Sequence, residues 1–293
     1  MSEITVEALY SYPVKSCAPL VEEEFAITEQ GLELDREWVV TRPNGTFLSQ
    51  RNTPELALVR PVVANGELTL SAPSAGSVSI PLEIDTTKAA QAEPIVIFEK
   101  EGTAYTERED ANDFFSDYLG KKVLLKRAVM PRSVNPAYLK EGASASSKNA
   151  DGFPIMIASA ASLALFSAQA GRDIPMSRFR PNIVVGGEGL VPYSEDFWRG
   201  VQIGKMRGFI VKACNRCPIP DVDQATGKRD EDRLVNRVLH ETRLGTFFGK
   251  EKFETFFGQN LLHIAEPGLQ LRVGDVVVPR TSWRRNFNLE ATA

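Results

Sequence analysis

The segment Lys212-Ala213-Cys214-Asn215-Arg216-Cys217-Pro218-Ile219-Pro220-Asp221-Val222-Asp223 concentrates thiols, cations and carboxylates within a dozen positions. A structural zinc site closes on four ligands, usually from two such cysteine pairs. Beyond this pair the chain offers only Cys17, His240 and His263 as further sulfur or nitrogen ligands. A thiol redox pair opens a helix after a strand, whereas Pro218 and Pro220 follow at once. The aspartates imitate a calcium loop until Ala225 and Thr226, where glycine is needed, and that reading fails. Two buried cysteines acting as small hydrophobes are the plainer alternative. A further reading is a single thiolate on a soft metal. Arg216 beside Cys217 would favour the thiolate by charge, and a cofactor would supply the remaining ligands, since the chain has few other soft donors.

Two more segments offer groups for an anion. Tyr12-Pro13-Val14-Lys15-Ser16-Cys17 supplies an ammonium, a hydroxyl and backbone N–H groups, but lacks the glycines of a P-loop. Arg178-Phe179-Arg180-Pro181-Asn182 supplies a guanidinium that can fork onto phosphate or carboxylate, and an amide suited to a ring edge. Asp35-Arg36-Glu37-Trp38 adds another arginine at a strand start. Surface turns and solvated ion pairs are the ordinary alternatives for all three.

The elements that must position these groups are mostly strands. Ile4 to Leu9, Glu24 to Thr28, Trp38 to Arg42 and Leu56 to Val63 are short Val/Ile/Thr/aromatic runs separated by turn signals, with Asn44-Gly45 as a hairpin turn. Such spacing predicts a barrel or sandwich. Asp110 to Tyr118 predicts a helix capped by Asp110 and stopped by Gly120. Val123 to Ala128 predicts a strand, and residues 130–152 a long loop. Ile155 to Ala158 predicts a buried strand followed by a helix that Ser159 caps, running through Ala168. Ile183 to Val185, Phe209 to Lys212 and Arg272 to Pro279 predict strands, while Asp232 to Arg243 is compatible with helix or loop.

Composition limits the function classes. With 293 residues, 43% hydrophobic and 25% charged, the chain is globular, and three cysteines exclude a disulfide scaffold and a self-contained four-thiolate iron–sulfur cluster. A net charge of −4 argues against a general nucleic-acid binder. The start has neither a basic nor an apolar leader region, and uncharged Gly152 to Gly171 is too polar to span a bilayer. These features predict a cytoplasmic protein with no membrane contact.

In order and spacing these segments resemble the MOSC-domain family with its N-terminal β-barrel partner domain. The matching pieces are Tyr12–Cys17, Gly31–Trp38, Phe47–Arg51, Asp151–Pro154 with Ser159–Leu163, Phe179–Ile183, Cys214–Cys217, Phe257–Asn260 and Val273–Asp275. The resemblance implies a β-rich α+β fold: an N-terminal β-barrel-like domain at 1–125, packed on a MOSC β-barrel domain with peripheral helices at 126–285, and a tail at 286–293. Within the family the chain is similar to the branch that reduces N-hydroxylated compounds with the molybdenum cofactor. On that similarity Cys217 ligates molybdenum, and Lys15, Ser16 and Arg36 hold the phosphate end of the pterin. Arg180, Asn182, Asn215 and Arg216 contact the pterin body, Ser159 or its neighbours line the pocket, and Asp151, or a water it orients, serves the proton step. The loop from Asp221 to Phe253 is expected to shape the substrate pocket. Bacterial relatives often carry a C-terminal ferredoxin domain, and the cysteine-free segment Arg280–Phe287 stands where it would begin. A separate donor is therefore implied, a ferredoxin or a flavin/iron–sulfur reductase, with no internal iron–sulfur cluster. A molybdenum-cofactor carrier or sulfur-transfer protein is the alternative.

Overall fold

The structure is a computed structural model and describes residues 3–98, 100–139 and 145–290. Its largest element is a ten-stranded sheet. Along the main path lie Leu20–Glu22, Thr5–Ser11, Ile183–Gly186, Ile155–Ser159, Phe253–His263, Met206–Asn215, Trp198–Ile203 and Val277–Thr281. Neighbours are antiparallel except Ile155–Ser159 and Ile183–Gly186, which run parallel and are joined through the helix Ala160–Ala170, as a parallel pair requires. The sheet curls back on itself where Thr5 bridges Val276 and Val277 N–H donates to Ile4 C=O at 2.8 Å. Leu9, Ile157, Ile183, Ile210 and Leu261 fill the interior.

The N-terminal half adds a four-stranded sheet of Trp38–Thr41, Leu124–Met130, Lys100–Thr106 and Glu93–Ile97, and a meander of Arg60–Ala64, Glu67–Ala72 and Gly76–Pro81. Their common core holds Trp38, Val40, Leu48, Phe115 and Leu125. A buried ion pair, Glu37 with Arg127 at 2.7 Å, lies beside it, with the guanidinium over the Trp38 ring.

The β-rich architecture with few helices is the expected one, and several details differ for physical reasons. A boundary at 125/126 falls inside the strand Leu124–Met130, and the chain's first strand belongs to the second half's sheet. Pro54 opens a 3-10 turn to Leu58, so the strand expected from Leu56 runs Arg60–Ala64 instead. The helix Glu109–Leu119 begins after Arg108, leaving Asp110 in its first turn, while Gly120 ends it at φ 60°. Ser159 caps the next helix by accepting from Ser162 N–H, and that helix continues to Ala170. Leu234–Arg243 is helical, burying Leu234, Val235, Val238 and Leu239 against Phe166 and Phe257. Arg272 to Pro279 is two strands, Gln270–Arg272 and Val277–Thr281, split by a turn in which Gly274 has φ 88°.

The segment 130–152 is not wholly loop, because Arg132–Ser133 pairs with Ser146–Ser147; residues 140–144 lie outside the described residues. The described part of the tail is anchored. Asn288–Leu289 pairs with Leu244–Thr246, Phe287 is buried, and a Cβ on Gly245 would stand 2.1 Å from Asn288 O. No described helix is long and apolar enough to cross a membrane.

Candidate functional site

Strand register brings the anion-binding segments to one end of the sheet. Leu9 and Ile157 both stand level with Ile183. Residues following Ser11, preceding Ile183 and preceding Ile155 therefore emerge together. Between the halves they line a cleft of about 400 Å³ that also contains Cys214 and Cys217. Lys15, Arg36, Arg51, Arg180, Lys212 and Arg216 all line it, against Asp151 as the lining carboxylate.

Three of these residues sit on strained backbone. Ser16, Arg36 and Arg180 have φ of 71°, 50° and 56°, a left-handed conformation costing about 1–2 kcal/mol for a non-glycine residue. Tertiary contacts enforce it. Arg36 N–H donates to Tyr12 C=O at 2.7 Å, and Lys15 N–H donates to Trp38 C=O at 2.8 Å. The Tyr12 ring lies beneath both guanidinium groups, 4.5 Å from Arg36 and 4.1 Å from Arg180.

Arg36 is compensated by Asp35, whose oxygens lie 2.6 and 2.8 Å from Nη1. Among the described residues Arg180 has no carboxylate partner: its Nη1 donates to Cys17 C=O at 2.8 Å, and its buried Nη2 finds none. Burial pushes the Arg180 guanidinium down to about 10, still charged at neutral pH.

Asn182 is saturated. Its amide nitrogen donates to Tyr10 C=O and Asp35, and its oxygen accepts from Met156 N–H and Arg36. With both donor hydrogens used, it braces Arg36 and Asp35 rather than presenting a free amide to a ring. Asn215 lines the cleft while donating to Glu254 at 3.1 Å. Ser159 is fully buried at its helix cap and is not among the lining residues.

Asp151 is positioned from the opposite side. Arg132 donates to Ala150 C=O, and Lys15 Nζ donates to Asn149 C=O at 2.8 Å. The Asp151 carboxylate pairs with Lys15 and with Arg51, the latter at 3.1 Å. Desolvation at the cleft mouth favours the neutral form, but Lys15 and Arg51 outweigh that and hold the half-exposed carboxyl well below the usual range. At neutral pH Asp151 is therefore a carboxylate that can orient water or cations, and not a proton donor in its own right.

The expected Arg216–Cys217 pairing does not form. The chain leaves the strand Met206–Asn215 extended, and residues two apart share a side there. Arg216 Nη1 accordingly meets Cys214 Sγ at 3.0 Å and Met156 Sδ at 3.4 Å, while Nη2 donates to Phe179 C=O at 2.7 Å. The cation beside Cys217 is Arg51. Burial lowers its proton affinity, but the Cys217 thiol and Asp151 raise it further. Cys217 is half-buried, whereas Cys17 is fully buried and its thiol is pushed up to about 12 by burial. Cys17 is thus an inert packing residue. Arg51 and Lys212 complete the cationic wall; no turn or strand signal beside Arg51 marks it as a site residue, and the tertiary fold alone brings it here. No residue from Asp221 to Phe253 lines the cleft, so that segment does not shape it directly.

Residues 3–122 match the MOSC N-terminal beta barrel domain and residues 145–278 match the MOSC domain. This chain is a member of the MOSC-domain family. It is 30% identical to mitochondrial amidoxime-reducing component 1 of Mus musculus, over 93% of this chain and 81% of that protein. It is also 29% identical to the molybdenum cofactor sulfurase of Danio rerio, over 96% of this chain but 35% of that protein. Among solved structures, the YUAD protein from Bacillus subtilis aligns over 94% of both chains with a TM-score of 0.40 and 10% identity. The MOSC matches cover both walls of the cleft, with Lys15, Arg36 and Arg51 in the first and Asp151, Arg180 and Cys217 in the second.

Proposed function

We propose that this MOSC protein is a molybdenum-cofactor-dependent reductase of N-hydroxylated compounds, supplied with electrons by a separate protein. The observation that carries the reading is one cleft in which two half-buried thiols, Cys214 held by Arg216 and Cys217 beside Arg51, face a cationic wall whose buried Arg180 Nη2 and Arg216 Nε lack partners among the described residues. Unpartnered buried guanidinium nitrogens are costly unless a ligand satisfies them.

The molybdenum cofactor is an anion that brings two sulfurs of its own to the metal. It needs one protein thiolate and several cations, and the donor set fits. Lys15, Ser16 and Arg36 would hold its phosphate end, Arg180, Arg216 and Asn215 its pterin body, and Cys217 the metal. Asn182, which also lines the cleft, would act chiefly by fixing Arg36. When bound, the group would supply the two-electron chemistry that opens an N–O bond, with the oxygen leaving as water.

The chain's own residues do the rest. The cations offset the cofactor's charge where solvent is partly excluded. Asp151, held ionised by Lys15 and Arg51, orients a water for the proton step. The relative's name, an amidoxime-reducing component, supports both the N-hydroxylated substrate class and a donor on another chain.

The sulfurase relatives favour a second reading, a cofactor carrier or sulfur-transfer module. One experiment separates them. Protein expressed with the cofactor is analysed for molybdenum and assayed with an N-hydroxylated base and reduced viologen, beside Cys217→Ser. Turnover that is lost together with molybdenum in Cys217→Ser is expected. Normal metal loading and full activity in that variant would overturn the ligand assignment, and cofactor release without turnover would favour the carrier.

A further inference from the structure

We propose that the hairpin Val222–Arg229 is a positioning clamp that holds the separate loops of the site in register, with Gln224 and Arg229 as its working side chains. The inference rests on the proposed cofactor reading for its functional consequence and on geometry for its mechanical part.

The hairpin is well defined. Val222 bridges Arg229, Asp223 N–H donates to Lys228 C=O at 2.8 Å, and Asp223 caps the turn by accepting from Ala225 and Thr226 N–H. It lines none of the cleft, yet it reaches three loops that do. Gln224 and the fully buried Gln50 exchange reciprocal amide hydrogen bonds of 3.0 and 2.9 Å across 174 residues of sequence. Gln50 passes this grip onward by donating to Ser16 C=O at 2.7 Å, the residue at φ 71°. Arg229 Nη2 donates to the carbonyls of Gln50 and Arg51 at 3.3 and 2.8 Å, fixing the backbone that carries the Arg51 guanidinium to Cys217 and Asp151.

At its other edge the hairpin holds Arg178, two residues before Arg180. Arg178 is buried and pairs with Asp223 at 3.2 Å and with Asp230 at 2.7 Å. The hairpin also joins Cys217 through Pro218 and the short turn Ile219–Asp221. A single short element thus ties together the Ser16 turn, the Arg51 loop, the Arg180 turn and the thiol. Strained turns persist only when their surroundings over-determine them, and this hairpin supplies contacts of that kind from outside the binding surface. Sites whose members stand on loops depend on such support.

The test uses the full-length protein and the variants Arg229→Ala, Arg229→Lys and Gln224→Ala, with Ile80→Val as a control that mildly loosens the core shared with Val14, Cys17 and Leu48 while leaving the hydrogen bonds of Gln224 and Arg229 in place. Amide hydrogen exchange, read by mass spectrometry, needs no cofactor. Peptides covering residues 14–18 and 48–54 should exchange about tenfold faster in Arg229→Ala and Gln224→Ala, with partial recovery in Arg229→Lys and no change in Ile80→Val. The rate at which molybdenum is lost from loaded protein on gel filtration should rise about tenfold in the same two variants only. Unchanged exchange in both, or an equal rise in Ile80→Val, would overturn the clamp. Faster exchange with an unchanged rate of metal loss would overturn its role toward the cofactor. A wild-type protein that never retains molybdenum would sink the functional reading, and exchange would still decide the clamp.

Discussion

Glu195 is fully buried, and its carboxylate takes hydrogen bonds of 2.7 and 2.9 Å from one hydroxyl, that of Ser162. Its neighbour Asp196 is equally buried but is neutralised by Arg243 at 2.8 Å and by Arg285 at 3.3 Å. Burial, and then the charge of Asp196, push the Glu195 carboxyl from its ordinary 4.5 up to about 7. The native state therefore holds this proton more tightly than the unfolded chain does. The stabilisation is complete below the unfolded value and is lost as pH rises through about 7. A shift of this size corresponds to about 3 kcal/mol, of which about 2.5 kcal/mol is lost between roughly pH 5 and pH 8. Glu195→Gln removes the titration while keeping shape and the Ser162 contact. The difference in melting temperature between variant and wild type should shift by roughly 4 °C across that range, in favour of Gln at the alkaline end. Calorimetry at matched ionic strength measures it. Parallel curves for the two proteins across the range would refute the argument, because every other titrating group is common to both.

Two further outcomes follow from the unequal pairing of the site's arginines. Arg36→Met should cost about 3 kcal/mol in urea unfolding of the cofactor-free protein, because it removes the one cation paired with the buried Asp35 among the described residues and leaves it only the neutral donors Tyr12 N–H and Asn182. Arg180→Met should cost less than about 1 kcal/mol, since Arg180 has no carboxylate to abandon; both should bind cofactor at least about tenfold more weakly. Ser16→Gly should leave the cofactor-free protein equally stable or stabilise it by about 1 kcal/mol, by relieving the left-handed backbone at φ 71°. A Tm loss of several degrees in that variant would show that the turn is not strained.

Site residues were legible in the sequence where a turn signal stood beside them. Lys15 follows Pro13, Arg180 precedes Pro181 and Arg36 opens a strand, so local chemistry and local geometry coincide. Arg51 carries no such mark, because its role depends on a guanidinium crossing to Cys217 from the other half of the chain. Arg216 misled for the opposite reason: adjacency in sequence suggested Cys217, whereas an extended backbone turns neighbours to opposite sides and delivers Arg216 to Cys214. The helix Leu234–Arg243 is ambiguous in the sequence because its N-cap position is Arg233 at φ 47°, while the N–H groups of its first turn are met by Asp232 and by Asp221, a residue from an earlier turn. Pairing of the first strand with Ile183–Gly186 is a long-range choice that periodicity alone cannot express.

That first pairing explains why the cleft can be strongly cationic in a protein of net charge −4. Threading Thr5–Ser11 into the second half's sheet delivers the Lys15 and Arg36 turns to the start of Ile183–Gly186, where Arg180 already stands. Like charges placed this close raise the energy of the free fold, and the left-handed backbone at Ser16, Arg36 and Arg180 raises it again. Each cost falls on a residue that faces the cleft. The compensating contacts, Asp35 on Arg36 and Gln50 on Ser16, sit behind the surface and leave Arg180 Nη2 unpaired. A fold selected only for its own stability would place the carboxylate beside Arg180, where it is missing. On the proposed reading the missing anion is the cofactor's, and its binding would relieve a repulsion the polypeptide already carries.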